Sequence, residues 1–292
     1  MRPGKSTSQR EGPSAMMPAN QRRLCPPTRE AALNDYQILA KDVSGPFDRR
    51  RFAIARRPVT VAHMEPGSLS HDLPSCLDML IMVPNGKVIL PEPYASDEGV
   101  VAFIAACVAF EDRLLPGWNK TRYAYLTVDC REVAPSKTHR NAGWHFDGMQ
   151  GARYPVKVDA CHQYVVSDRM PTEFTDATTD ASGLDDDKHN WFVELGRQVP
   201  DDAAIIRPEP YEIAAMSAYQ LHRSPVAGPD DGGWRAFLRL DFSVKQQDRL
   251  GNSPNPELPA PFPYVERPMP AHLALPVSDA GWEKGMVFAG PC

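Results

Sequence analysis

The segment of residues 142–148, Ala-Gly-Trp-His-Phe-Asp-Gly, contains two side chains that can bind a metal ion. His145 and Asp147 are two positions apart, so on an extended strand both side chains leave the same face. A second imidazole, His222, ends a strand predicted for residues 219–222 and can reach the same ion from a neighbouring part of the sheet. Two imidazoles and one carboxylate on one side of an ion leave three coordination positions open, as in non-haem iron(II) sites.

Two arginines lie on one predicted strand downstream of His222. After the turn-rich residues 226–233, a strand predicted for residues 234–243 places Arg235 and Arg239 on one face. The planar guanidinium of arginine can hold a carboxylate through two parallel hydrogen bonds. The sequence therefore predicts a carboxylate-binding group downstream of the candidate metal ligands.

This order of His-x-Asp, distal His and then Arg resembles the iron(II)- and 2-oxoglutarate-dependent dioxygenases, over roughly residues 123–243. The resemblance implies a mainly β fold with supporting helices, built on a double-stranded β-helix, or jelly roll. It also implies that His145, Asp147 and His222 bind Fe(II).

The resemblance further implies that Arg235 or Arg239 binds the distal carboxylate of the cosubstrate 2-oxoglutarate. Arg235 is favoured because it directly follows the turn, as the arginine of this family commonly does. Many members carry a serine or threonine two residues beyond that arginine, whereas this chain has Phe237 there.

Four further residues are candidates for contacts near the metal. Tyr125 and Thr127, on the strand that precedes His-x-Asp, are candidate cosubstrate contacts. Tyr123 on the same face and Trp144 beside the ligands are candidate substrate contacts. The alternative for Trp144 is packing on the outer face, because a regular strand points it away from His145.

By resemblance, the expected activity couples oxidative decarboxylation of 2-oxoglutarate by O₂ to the oxidation, most often hydroxylation, of a substrate. The acidic charge balance and the lack of a protein- or nucleic-acid-binding module favour a small polar substrate. An amino acid or a biosynthetic intermediate would be such a substrate. No catalytic side chain beyond the metal centre is required. Two alternatives stay open: a jelly-roll metal enzyme that does not use 2-oxoglutarate, and a non-catalytic jelly-roll binding or regulatory protein.

The other histidines have plainer interpretations. His162 lies in a predicted strand and is interpreted as a core histidine, which would replace His222 only if that residue failed as a ligand. The remaining five lie in loop-like or proline-flanked segments, and no chemical role is expected for them: His63, His71, His139, His189 and His272.

The elements that must position these residues follow from periodicity. Apolar residues at helical spacing predict a helix over residues 97–115 whose buried face includes Val101, Ile104 and Val108. Aromatic and β-branched residues predict strands at residues 123–129, 160–166, 211–217, 219–222 and 234–243. This order favours a mainly antiparallel sheet supported by helices.

Length and composition indicate the domain organisation, the partners and the localisation. The 292 residues suffice for one domain over residues 29–292, preceded by a polar, flexible tail at residues 1–28 and including a proline-rich segment, 253–276, that wraps over the domain. A net charge of −5 disfavours nucleic acid as a partner. The sequence shows neither a signal-like start nor an apolar run long enough to cross a membrane, so a cytoplasmic protein is expected. The six cysteines form no C-x-x-C pair and are expected to be free thiols. The oligomeric state stays open.

Overall fold

The computed structural model describes residues 29–140, 143–147, 161–185 and 187–266. The predicted tail at residues 1–28 lies outside them. The helices of the described part are α1 (Arg29–Val43), α2 (Glu98–Leu114) and α3 (Trp191–Arg197). Its strands are β1 (Val59–His63), β2 (Cys76–Met82), β3 (Tyr123–Val133), β4 (His162–Ser167), β5 (Glu173–Phe174), β6 (Glu212–Ser217), β7 (His222–Arg223) and β8 (Gly233–Ser243).

Six of these strands form one antiparallel sheet in the order β1-β6-β4-β8-β3-β2. The long central strands β3 and β8 pair over their whole length, from Tyr123 opposite Ser243 to Val133 opposite Gly233. Four of the predicted strands are confirmed as β3, β4, β6 and β8. The fold is thus mainly antiparallel β, with helices in support.

Strand alternation gives this sheet two different faces. Its outer face is apolar and packs with α2, with Leu126, Leu240 and Phe242 among the buried side chains. Its inner face is buried but polar, because the alternate positions of β3 and β8 carry Thr127, Asp129, Arg235, Arg239 and Asp241.

Helix α2 confirms the predicted helix, although its buried face is rotated from the predicted one. Asp97 caps the helix by accepting a hydrogen bond from Val100 N at 2.8 Å. Val101, expected to be buried, is 44% exposed. The buried stripe includes Phe103 and Phe110 instead. The helix is turned by about one residue from the predicted orientation, and this rotation is favoured because it places the larger aromatic side chains in the core.

A second, smaller layer carries the candidate ligands. Strands β5 and β7 pair with each other, Phe174 of β5 also bridges Ile206, and His222 of β7 bridges His145. Phe174 packs in a buried cluster that includes Val165 and Phe237 of the large sheet, which joins the two layers. The polar inner face and the small layer therefore bound the same interior.

The prediction of a strand at residues 219–222 is wrong, since His222 begins β7 and does not end a strand. Gln220 N donates to Ser217 O, so the chain turns between β6 and β7. Tyr219, counted as a strand residue, stacks on Phe47 in a separate aromatic cluster. Burial of that ring and the turn override the β propensity of the segment.

The described part of the proline-rich segment, residues 253–266, lies against β2 and β3. Phe262 packs with Leu80 and Tyr125 in one buried cluster. Asn255 Nδ2 donates to Leu80 O and Ile89 O, both at 2.9 Å. The remaining residues of the segment, 267–276, lie outside the described part of the chain.

Candidate metal centre

The structure brings His145, Asp147 and His222 together. One ligand atom from each residue lies within 4.8 Å of the others, and His222 Nε2 is 3.7 Å from Asp147 Oδ2. Within the described ranges, no other group of three or more His, Cys, Asp or Glu residues converges in this way. These three residues, of which His145 and His222 are 77 positions apart in the sequence, form a candidate metal site.

Main-chain pairing holds the two imidazoles side by side. His145 N donates to His222 O at 3.0 Å and His222 N donates to His145 O at 2.8 Å, and the ring centroids are 4.4 Å apart. His145 Nδ1 is 2.7 Å from Gly143 O, and His222 Nδ1 is 3.0 Å from Gln220 O. A carbonyl only accepts, so each Nδ1 carries the proton and each Nε2 keeps a lone pair for a metal.

The protonation states of the cluster also suit a metal ion. Burial and the neighbouring ring of His222 lower the pKa of His145 to about 4, so its imidazole is neutral at neutral pH. Burial alone would raise the pKa of Asp147, but His222 and then the charge of Arg239 hold that pKa well below its ordinary value. Metal binding needs this combination of a neutral imidazole and an ionised carboxylate.

Arg239 contacts the candidate ligand Asp147 directly. Its Nη1 donates to Asp147 Oδ2 at 3.1 Å, Nη2 donates to Asp78 Oδ1, and Nε lies 2.9 Å from Asp241 Oδ2. Three carboxylates therefore surround one guanidinium. Burial raises the pKa of Asp241 against the opposing charge of Arg239.

Asp78 is a member of this network that the sequence did not reveal. It lies in β2 where the register with β3 shifts between Cys76 and Met79, and its φ is +47°. Thr127 Oγ1 donates to Asp78 Oδ1 at 3.2 Å. A bulge redirects one side chain out of the strand alternation, so the two-residue period alone could not find Asp78.

Arg235 lies on the same face of β8 but has a different environment. It is 1% exposed, and its Nε donates to the carbonyls of Arg169 and Met170, both at 3.0 Å. Its Nη1 donates to His139 Nδ1 at 2.7 Å. Among the described residues, no carboxylate forms an ion pair with this guanidinium.

The predicted contact residues on β3 take part in protein contacts. The Tyr125 hydroxyl accepts a hydrogen bond from Gln247 N at 2.9 Å, which ties β3 to the chain beyond β8. Thr127 contacts Asp78, as described, and Tyr123 stacks on Tyr125 with ring centroids 6.2 Å apart. Their roles toward a cosubstrate or substrate stay predictions.

Trp144 packs against Arg223, whose guanidinium carbon lies 4.3 Å from the ring centroid. Arg223 also forms an ion pair with Glu173 at 2.7 Å. Trp144 and Arg223 each adjoin a candidate ligand in the sequence, and alternation turns both away from the ligand face. A substrate contact for Trp144 stays a prediction, and packing with Arg223 is what the structure describes.

Two other histidines are buried, with separate roles. His162 Nε2 is 2.7 Å from Glu111 Oε2 of α2, and its ring stacks on Phe242 of the outer face. It is therefore a core histidine on the face away from the candidate ligands. His139, for which no role was expected, contacts Arg235.

The helices of the described residues include none long and apolar enough to span a membrane. The described cysteines are free thiols: Cys76, Cys107, Cys130 and Cys161. Cys25 and Cys292 lie outside the described residues.

No protein-family model matches the sequence, and no curated protein matches it. Solved structures similar to the chain include AviO1 from Streptomyces viridochromogenes Tue57, at 11% identity and a TM-score of 0.37, covering 67% of this chain and 92% of that one. They also include the non-heme monooxygenase ThoJ as its nickel complex, at 12% identity and 0.31, covering 75% and 72%. A third is the Fe(II)/(alpha)ketoglutarate-dependent dioxygenase TqaL, at 14% identity and 0.32, covering 80% and 82%. Similarity at this level does not assign a function.

Proposed function

We propose that this protein is a non-haem iron(II) oxygenase that couples oxidative decarboxylation of 2-oxoglutarate to oxidation of a small polar substrate. The observation that carries the proposal is the convergence of His145, Asp147 and His222 within 4.8 Å. The balanced reaction takes 2-oxoglutarate, O₂ and a substrate C–H bond to succinate, CO₂ and a C–OH group.

The residues present fit an iron(II) ion. His145 and His222 would each offer Nε2, because their Nδ1 atoms are held by main-chain carbonyls. Asp147 would offer a carboxylate oxygen. When bound, the metal supplies the activation of O₂. The chain's own part is to hold the three donors in place.

The pairing pattern supports a double-stranded β-helix as the scaffold. In such a fold two antiparallel sheets enclose an interior. Here the smaller layer is built by successive pairings, in which His145 pairs with His222, His222 with Phe174, and Phe174 with Ile206. The metal ligands then lie in the smaller layer and the arginines of β8 in the larger one. The two sets face each other across the interior.

Arg235 is the proposed anchor for the distal carboxylate of 2-oxoglutarate. A buried charge without a counter-ion is costly, and an incoming carboxylate would supply that counter-ion. Arg239 is less suited to this role, because its guanidinium already contacts Asp78, Asp147 and Asp241. The charge balance therefore supports Arg235 over Arg239.

A small polar substrate is proposed from the lining of the interior. The inner face carries Thr127, Gln163 and Asp241, all buried. Buried polar groups suit a ligand that can hydrogen-bond to them. The acidic net charge gives no support to a nucleic-acid substrate.

Succinate formation tests the proposal. Protein loaded anaerobically with Fe(II) is mixed with 2-oxoglutarate and pools of small polar molecules, then exposed to O₂. We expect succinate from the wild type, none from His145→Ala, and a raised 2-oxoglutarate requirement in Arg235→Ala. The exposed His63→Ala variant, on edge strand β1, is the matched control and should behave as the wild type.

Two results would contradict the proposal in different ways. Fe(II) binding without any succinate from any pool would favour a metal enzyme that does not use 2-oxoglutarate. Absence of Fe(II) binding would favour a binding protein without a metal.

A further inference from the structure

His139 adjoins Arg235, the proposed cosubstrate anchor. The side chain of His139 is fully buried, and its Nδ1 is 2.7 Å from Arg235 Nη1. A guanidinium only donates, so His139 Nδ1 accepts and the neutral ring carries its proton on Nε2. That Nε2 lies 3.2 Å from Asp129 Oδ1.

The surroundings keep His139 neutral. Burial and the charge of Arg235 lower its pKa, although Asp129 acts in the opposite direction. Asp129 is itself engaged by Arg131 and Arg140, with Arg140 Nη1 at 3.1 Å from its Oδ2. Asp129 therefore faces His139 without forming an ion pair with Arg235.

The other carboxylate near Arg235 is also engaged. Asp168 Oδ1 accepts from Ala236 N at 2.9 Å, and its Oδ2 is 2.6 Å from His71 Nε2. Arg235 is thus oriented by three neutral acceptors: two carbonyls and one imidazole. Its direction is fixed, and no described carboxylate forms an ion pair with it, although Asp168 and Asp129 lie near enough to favour its charged form.

We propose that His139 is a positioning residue that orients Arg235 through a neutral acceptor and so leaves its charge available to an incoming carboxylate. The inference rests on the proposed function, because the carboxylate is taken to be the distal one of 2-oxoglutarate. A carboxylate at position 139 would orient Arg235 equally well but would occupy its charge. The neutrality of the acceptor is therefore the property that matters.

Three variants of nearly equal shape separate these effects. His139→Asn places an amide oxygen where Nδ1 lies, His139→Leu removes the acceptor, and His139→Asp makes the acceptor anionic. Each is loaded with Mn(II) in place of iron and titrated calorimetrically with 2-oxoglutarate and, separately, with pyruvate. Pyruvate has the same keto-acid group but lacks the distal carboxylate.

We expect His139→Asn to bind 2-oxoglutarate within about threefold of the wild type. We expect His139→Leu and His139→Asp to bind it at least about tenfold more weakly, as for the loss of a charge-assisted hydrogen bond. Pyruvate affinity and Mn(II) affinity should be unchanged in all three. In turnover, the apparent KM for 2-oxoglutarate should rise with kcat nearly unchanged.

Equal 2-oxoglutarate affinity in the Asn and Leu variants would overturn the positioning role, and this comparison holds even if the Asp variant does not fold. Loss of pyruvate and 2-oxoglutarate binding together would also overturn it, because a general disruption of the site would then be the cause. A wild type that binds Mn(II) but not 2-oxoglutarate would instead contradict the proposed function itself.

Discussion

His145 and His222 exchange both main-chain hydrogen bonds, at 3.0 and 2.8 Å, across the smaller layer of the fold. Directly paired residues on neighbouring antiparallel strands project their side chains to the same face. The backbone pairing therefore sets the spacing of the two imidazoles, and Asp147 joins them from two residues further along the chain. The candidate site is built into the pairing of the strands.

Removing either imidazole should abolish tight metal binding. Loss of a supporting contact around a metal ligand typically costs 10–100-fold in affinity, so loss of His145 or His222 itself should cost more than about 100-fold. Mn(II) titration of His145→Ala and His222→Ala measures this. His63→Ala serves as the control, and wild-type affinity in both ligand variants would contradict the site.

His162 should affect stability but not metal affinity. His162→Gln disturbs the buried contact with Glu111 and should lower the free energy of unfolding by about 1–3 kcal/mol. Urea unfolding measures the stability and Mn(II) titration the affinity. A marked loss of Mn(II) affinity in the folded variant would mean that His162 belongs to the metal site.

The two arginines of β8 should differ in their effect on stability. Arg239→Met leaves Asp78, Asp147 and Asp241 without their shared cation, so it should destabilise the metal-free protein by about 3–5 kcal/mol. Arg235→Met leaves no ion-paired carboxylate behind and should cost less. Urea unfolding of both variants measures the two stability losses. A larger loss in Arg235→Met than in Arg239→Met would contradict this charge balance.

Stability should fall as the pH drops below about 6.5, the ordinary pKa of histidine. The folded-state pKa of His139 is lowered, so below 6.5 the unfolded chain binds a proton there that the folded chain does not. Its contribution is complete above pH 6.5 and is lost below it. Urea unfolding of metal-free protein at several pH values should show a shallower slope for His139→Asn, and parallel curves would contradict this.

The sequence could predict those parts of the site that depend on local periodicity. The two-residue period of β8 placed Arg235 and Arg239 on one face, and His-x-Asp placed two candidate ligands together. Asp78 was not predicted as part of the site because a bulge breaks the two-residue period of β2. His139 was not predicted because it contacts Arg235, 96 positions away in the sequence, and only the folded chain brings the two together.

The same distinction applies to the elements. The strongly apolar helix α2 and the long strands β3 and β8 were predicted, since each carries its own pattern. Helix α1 was not predicted, although its Leu39 and Val43 are core residues, and α3 was missed because it has only seven residues. The strand predicted at residues 219–222 failed because tertiary packing of Tyr219 and a turn outweigh local propensity.

The most direct test of an iron(II) site that binds 2-oxoglutarate is an anaerobic titration of the protein with Fe(II) followed by 2-oxoglutarate, monitored by absorption. We expect one Fe(II) per chain and then the weak charge-transfer absorption of an iron–oxoglutarate chelate, with both absent in His145→Ala. A wild-type protein that binds no Fe(II), or that binds it and gives no such absorption, would contradict the proposed function.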